Sequence, residues 1–142
     1  MAEEHARDDF DWVAAQSTCN AASMFERLRT RVRDDVQRRN GLFDRDDGWK
    51  FEFAEDIDQF EVTRIVGSAI MRPRVTALVR FERGGPRIHI QGEDVDVEFT
   101  AIVTIDPNGA CRFVVGEVMY SDWEIRRMAL EQLFFEETEE EE

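Results

Sequence analysis

Val95, Val97, Phe99, Ala101, Val103 and Ile105 place an apolar residue at every second position, and Asp106-Pro107-Asn108-Gly109 follows directly. No other stretch limits the fold as tightly. A two-residue period is that of a β-strand with one buried face. Asp96, Glu98, Thr100 and Thr104 take the opposite face, with Ile102 as its one apolar member. Pro107 presets φ for the second position of a type I turn, and Gly109 suits the left-handed bulge position after it. That three-residue loop sets Asp106 opposite Ala110, and then Ile105, Val103 and Ala101 opposite Cys111, Phe113 and Val115 on the apolar face. A slip of one residue would bury Arg112.

Two more turns extend the register upstream. Val75, Ala77, Val79 and Phe81 should face inward from a strand that starts at Arg74. A loop at Gly84-Gly85 would pair Phe81 with Ile88 and Val79 with Ile90 inside, and Glu82 with Arg87 and Arg80 with His89 outside. A loop at Gly92-Glu93, glycine first, would pair Ile90 with Val95, Ile88 with Val97, His89 with Asp96 and Arg87 with Glu98. Pro86 is the point of tension, because a tight Gly84-Gly85 hairpin uses the amide that proline lacks. Earlier, Trp49, Phe51 and Phe53 give a strand with an aromatic inner face, Ala54 to Asp58 a turn, and Gln59 to Val66 the return strand. There Phe60 and Val62 disagree with Ile65 about facing, which a bulge near Thr63 reconciles. The last strand is expected from Ala110 to Met119.

Helical spacing appears twice. Asn20 is an N-cap for a helix that places Phe25, Leu28, Val32 and Val36 on one face, runs to Asn40 and stops at Gly41. Its other face carries Arg27, Arg29, Arg31, Arg33, Arg38 and Arg39, interrupted by Glu26, Asp34 and Asp35 and without interleaved aromatics. That pattern reads as a solvated, ion-paired face and not as a nucleic-acid surface. Ser121 and Glu124 form a capping box for a second helix, which is apolar round most of its circumference from Trp123 to Phe135 and should be buried or shared with a partner. Asp11 to Ser17 reads as a short first strand. The expected fold is α+β, a single domain over 11–135. An antiparallel meander of about six or seven strands is packed by a long helix from the N-terminal half and by a C-terminal helix. Segments 1–10 and 136–142 are expected to be disordered.

Net charge is −14, and Glu136, Glu137 and Glu139 to Glu142 supply much of it at one end. Such a field repels nucleic acid and anionic membranes, so neither is expected as a partner. The acidic N-terminus is unlike a secretory signal, and no apolar run reaches the length of a membrane span. Cys19 and Cys111 read as two reduced, core-facing thiols of a cytoplasmic protein.

The chemistry is sparse. Asp94, Asp96 and Glu98 share a strand face, but the register gives Asp96 and Glu98 basic partners, which outweighs a metal reading. His89 belongs to the same cross-strand ladder. The two histidines, His5 and His89, make no triad or zinc set, Gly84-Gly85 opens no phosphate-binding helix, and no ionisable residue faces inward on the well-registered strands. No catalytic residue, metal or cofactor is therefore expected, and an enzyme is disfavoured. Ile102 opposite Val114, with Leu78 on the same outer face, makes an apolar patch suited to an interface.

The element order resembles the helix-grip fold of START and Bet v 1-like proteins. Trp12-Val13, Cys19-Asn20-Ala21 and Met24-Phe25-Glu26-Arg27-Leu28 are similar to the strand-to-helix opening of that superfamily. The resemblance implies a cavity between sheet and terminal helix that takes an apolar small molecule. Its lining would be Trp49, Phe51, Phe53, Val79, Phe81, Phe99, Phe113 and Leu130, although the same residues also make a filled core. The alternative is an acidic protein-interaction module, an adaptor or inhibitor or a homodimer, acting through Leu78, Ile102 and Val114 or through the acidic tail.

Overall fold

The computed structural model describes residues 9–43, 48–67 and 72–136. The helices are α1 (Trp12–Thr18), α2 (Ala21–Leu42) and α3 (Asp122–Phe135). The strands are β1 (Trp49–Asp56), β2 (Gln59–Val66), β3 (Arg74–Gly84), β4 (Arg87–Glu93), β5 (Glu98–Ile105), β6 (Cys111–Val115) and β7 (Val118–Tyr120). The strands form one antiparallel sheet in chain order, from β1 at one edge to β7 at the other. The architecture is α+β, as the periodicities imply. The terminal segments read as disordered lie largely outside the described residues.

Helices α2 and α3 cover one face of this sheet. Met24, Phe25, Leu28, Val32 and Val36 from α2, and Ile125, Ala129, Leu130, Leu133 and Phe134 from α3, are buried against Phe51, Phe60, Val62, Val79, Phe81, Ile88, Ile90 and Phe113. Asn20 caps α2, its Oδ1 accepting from the Ser23 amide at 2.8 Å. Glu124 closes the box at the start of α3, accepting from the Ser121 amide at 2.8 Å. Helix α2 continues past Asn40 through Gly41 to Leu42.

Residues 12–18 are helical where a strand was expected. Asp11 caps α1 by accepting from the Ala14 amide at 3.1 Å, and the Ser17 and Thr18 hydroxyls donate back to the Ala14 and Ala15 carbonyls. With local side-chain bonds and an alanine-rich centre, and no buried residue to anchor it in a sheet, the segment takes the helix.

The Asp106 turn has the expected form. Ile105 faces Cys111, Val103 faces Phe113 and Ile102 faces Val114, while Gly109 takes φ +86°. Upstream, both expected registers are displaced by even numbers of residues. Phe81 faces Ile90, Val79 faces Gly92 and Arg83 faces Ile88, two positions from the expected pairs, and outside Glu82 faces His89 and Arg80 faces Gln91. Pro86 is the cause. The residue that follows a two-residue loop must donate its amide, so proline moves into the loop beside Gly85, which takes φ +61°.

Between β4 and β5 the expected Gly92-Glu93 turn is replaced by residues 94–97, with Asp94 at φ +64° and the Gly92 amide donating to the Val97 carbonyl at 2.7 Å. Val95 to Val97 therefore precede the strand, and Ile90 and Ile88 face Phe99 and Ala101. An even slip leaves every side chain on its original face, which is why incorrect pairs still sorted apolar from charged residues.

Three further departures have local causes. The bulge lies between Arg64 and Ile65 on one strand and leaves Thr76 as the extra residue of β3, so Val75 turns outward and is exposed. The last strand is broken in two by Gly116 at φ +63°, which folds β7 back on β6. The two cysteines form a disulfide, Cys19–Cys111, with Cα atoms 5.5 Å apart. A separation of 92 residues hid a proximity created by the α1–α2 corner lying over the start of β6.

Candidate functional site

Asp35, Arg38, Arg39 and Leu42 recur at steps of three and four on the last turns of α2. On α3, Trp123, Arg126, Arg127, Leu130, Glu131 and Phe134 do the same. Each set is one stripe of a helix surface. The two stripes meet, and with Phe43 and Phe135 they enclose a groove of about 390 Å³. Leu42, Trp123 and Phe135 stand on its rim and are 63%, 56% and 57% exposed, so three large apolar side chains surround one concavity.

Ion pairs fix the walls. Arg126 Nη1 donates to both oxygens of Asp35 at 2.8 Å, and its Nε donates to Asp122 at 2.8 Å, which joins α2 to α3. Burial opposes the charge on Arg126, but the bonds to Asp35 and Asp122 outweigh it and hold the pKa above the usual arginine value. Arg127 pairs with Glu131 along the helix at 3.2 Å. Arg39 is 4% exposed. Its Nε donates to the Phe134 carbonyl at 2.9 Å, and its guanidinium carbon lies 4.2, 4.9 and 5.5 Å from the ring centres of Phe43, Phe51 and Phe135. That arrangement makes a fixed cation in an apolar wall.

The residues expected to line a cavity are distributed differently. Phe51, Val79, Phe81, Phe113 and Leu130 are buried, and Trp49, Phe53 and Phe99 are half-buried. Phe60 stacks on Phe81 with ring centres 4.5 Å apart and meets Phe53 at 5.6 Å, while Phe51 packs on Phe134 at 4.8 Å. Of the eight, Leu130 lines the groove. On the outer face Ile102 and Val114 are opposite each other, and Met119 joins them from β7. Leu78 does not. It faces Glu93, whereas Ile102 is level with Arg87, six positions along β4 and therefore about 20 Å away.

Polar residues also changed partners. His89 bonds Thr100 at 3.0 Å and Gln91 at 2.9 Å, in place of the Arg80 and Asp96 ladder. The arginine face of α2 is only partly solvated, since Arg29 and Arg39 are buried. Arg64 lies inside as well. Its parity with Phe60 and Val62 was the available signal, and its Nε donates to Thr76 while the guanidinium covers Trp49 at 4.3 Å. Among the described residues no cluster of His, Cys, Asp or Glu gathers as a metal site, and no helix is long and apolar enough to cross a membrane. No protein family, curated protein or solved structure matches this chain.

Proposed function

We propose that this chain is a non-catalytic binding domain that takes an apolar small molecule in the groove between α2 and α3. One observation carries the reading. Three large apolar side chains, Leu42, Trp123 and Phe135, remain exposed around one concave site whose volume falls in the range of small-ligand pockets. A helix over an antiparallel sheet is compatible with a helix-grip fold. The aromatic contacts across the sheet, however, favour a filled core beneath α2, which supports the end of the helix pair as the better candidate for a ligand. A cytoplasmic location sits poorly with Cys19–Cys111, because such bonds persist in oxidising compartments.

Nile red, a neutral apolar dye, tests the site. It should bind the purified chain and lose its fluorescence enhancement in the Leu42→Ser/Trp123→Ser double variant, whose exposed positions leave the core intact. Undiminished binding by that variant would remove the groove from consideration. A second reading, a protein-interaction module, is supported by the outer row Ile102, Val114 and Met119, with Ile102 and Met119 44% and 47% exposed. Native mass spectrometry decides it: a dimer that Ile102→Arg splits favours the interface, and a monomer in both forms counts against it.

A further inference from the structure

We infer that the outer row Ile102, Val114 and Met119 is where this chain pairs face to face with a second copy of itself, Arg87 of each copy meeting Glu117 of the other. The inference rests on the interaction reading above and adds the partner, the orientation and the charges. The row crosses β5, β6 and β7 at one level and ends at the open edge of the sheet. Helices α2 and α3 pack on the opposite face, and Ile102 and Met119 remain exposed. Charge identifies the occupant. A chain of net charge −14 meets itself most readily where its surface is locally neutral. Arg87 lies level with Ile102 at one end of the row, because Ile88 faces Ala101, and Glu117 lies in the turn two residues before Met119 at the other. Both are exposed and, among the described residues, neither has a hydrogen bond or ion pair. Arg112, two positions from Val114, is neutralised by Asp106 at 2.9 Å. One unmatched cation and one unmatched anion thus sit at opposite ends of an apolar strip.

Such a strip is self-complementary when reversed. About a two-fold axis that lies between the two sheets and runs along the strands, Ile102 of each copy falls over Val114 of the other, and Arg87 over Met119. Glu117 of the second copy is then one two-residue step from Arg87, about 7 Å along the strand and within the span of an arginine side chain. The flanking positions agree. Thr104 falls over Arg112 and His89 over Glu117, so no like charges are opposed. A three-residue row is small beside the roughly 800 Å² per partner of a standard interface, which makes the dimer a reversible one.

Sedimentation velocity of the full chain over a concentration series tests this arrangement. The unaltered chain should show a reversible monomer–dimer equilibrium, and Ile102→Arg should abolish the dimer. Glu117→Arg and Arg87→Glu should each weaken it by about tenfold, because each opposes like charges at both ends of the strip. The double variant Arg87→Glu/Glu117→Arg should recover the original dimer, which a merely local disturbance would not do. All three positions are exposed, so the variants leave the core intact. A chain that stays monomeric at every concentration overturns the interaction reading and this inference together. A dimer split by Ile102→Arg but indifferent to the charge variants overturns the orientation and leaves that reading standing. Edge-to-edge pairing through β7, which keeps Arg87 three strands from the contact, gives that second result. Weakening by both single variants that the double variant does not reverse overturns the Arg87–Glu117 pair.

Discussion

Helix α2 buries an arginine against aromatic rings twice, ten residues apart, and the two sites differ in what surrounds the charge. Arg29 lies over Phe25 and Phe60 with all five of its N–H groups engaged, by Glu26, Glu55 and the carbonyls of Asp56 and Ile57. It ties the helix to the β1–β2 turn and presents no face to a ligand. Arg39 lies over Phe43, Phe51 and Phe135, is held by the Phe134 carbonyl, and lines an open groove. The start of α2 is closed further by the Cys19–Cys111 bond. The same pairing of arginine and ring thus locks one end of the helix and makes a receptive wall at the other. Enclosure, and not residue type, separates a packing contact from a candidate site.

The sharpest contrast comes from deleting one ring at each end. Phe60 is fully buried and meets Phe25, Phe53 and Phe81, so Phe60→Ala should cost about 3–5 kcal/mol in urea unfolding. Trp123→Ala, at an exposed rim position, should cost less than about 1 kcal/mol. Equal costs would show that the groove end is core, and the comparison would fail. Next in size is the disulfide. Replacing both cysteines by serine frees a loop of 92 residues and should cost about 2–4 kcal/mol, with Nile red binding retained by the folded protein. Loss of dye binding in the still-folded variant would mean that the closed end shapes the open one.

Arg29→Met is a smaller change. The apolar stem is conserved and Arg33 still holds both oxygens of Glu55, but two turn carbonyls lose their donor, for a cost of about 2 kcal/mol. Arg39→Met, read in the same unfolding experiment, removes the donor to the Phe134 carbonyl and should also alter dye binding in the groove; unchanged dye binding would make Arg39 a structural lock like Arg29.

The closed parts of this molecule were more legible in sequence than the open one, for physical reasons. Alternation specifies a face, and Val79, Phe81, Ile88, Ile90, Ala101 and Phe113 are buried as their parity implies. Alternation does not specify register, which depends on turn chemistry. The Asp106 turn has its proline and glycine in defining positions and was read correctly, whereas Pro86 could be accommodated only by shifting the loop, and Asp94 took a left-handed conformation that its sequence did not announce. The groove was legible only in part. Its two stripes are visible as helical spacings, but their meeting depends on how α2 and α3 cross, and the arginines of one stripe look the same whether solvated or set against rings. The Cys19–Cys111 contact depends likewise on the α1–α2 corner, where a strand was expected in place of a helix.

The smallest effect concerns acid, and it discriminates between the two ends without altering a core residue. Asp106 accepts from Arg112 Nε at 2.9 Å and from the amides of Ala110 and Asn108 at 2.9 and 2.8 Å. The hydrogen bond from Arg112, followed by the amide bonds, holds its carboxyl below the usual aspartate pKa of 3.8. A depressed folded pKa means that the stabilisation is complete above the unfolded value and is lost as pH falls through the folded one. The loss therefore belongs to the range below about pH 4 and not to neutral pH. The Asp106 carboxylate, five residues before Cys111, organises the turn on which Phe10 lies against Gly109, so acid should loosen the closed end. Amide exchange followed from pH 5 downward should show protection declining first along β5 and β6, and Asp106→Asn should flatten that decline while lowering protection of the turn at neutral pH. An unchanged acid limb in Asp106→Asn would assign the loss to other carboxylates, and early loss of protection in α3 would place the acid-sensitive end at the groove.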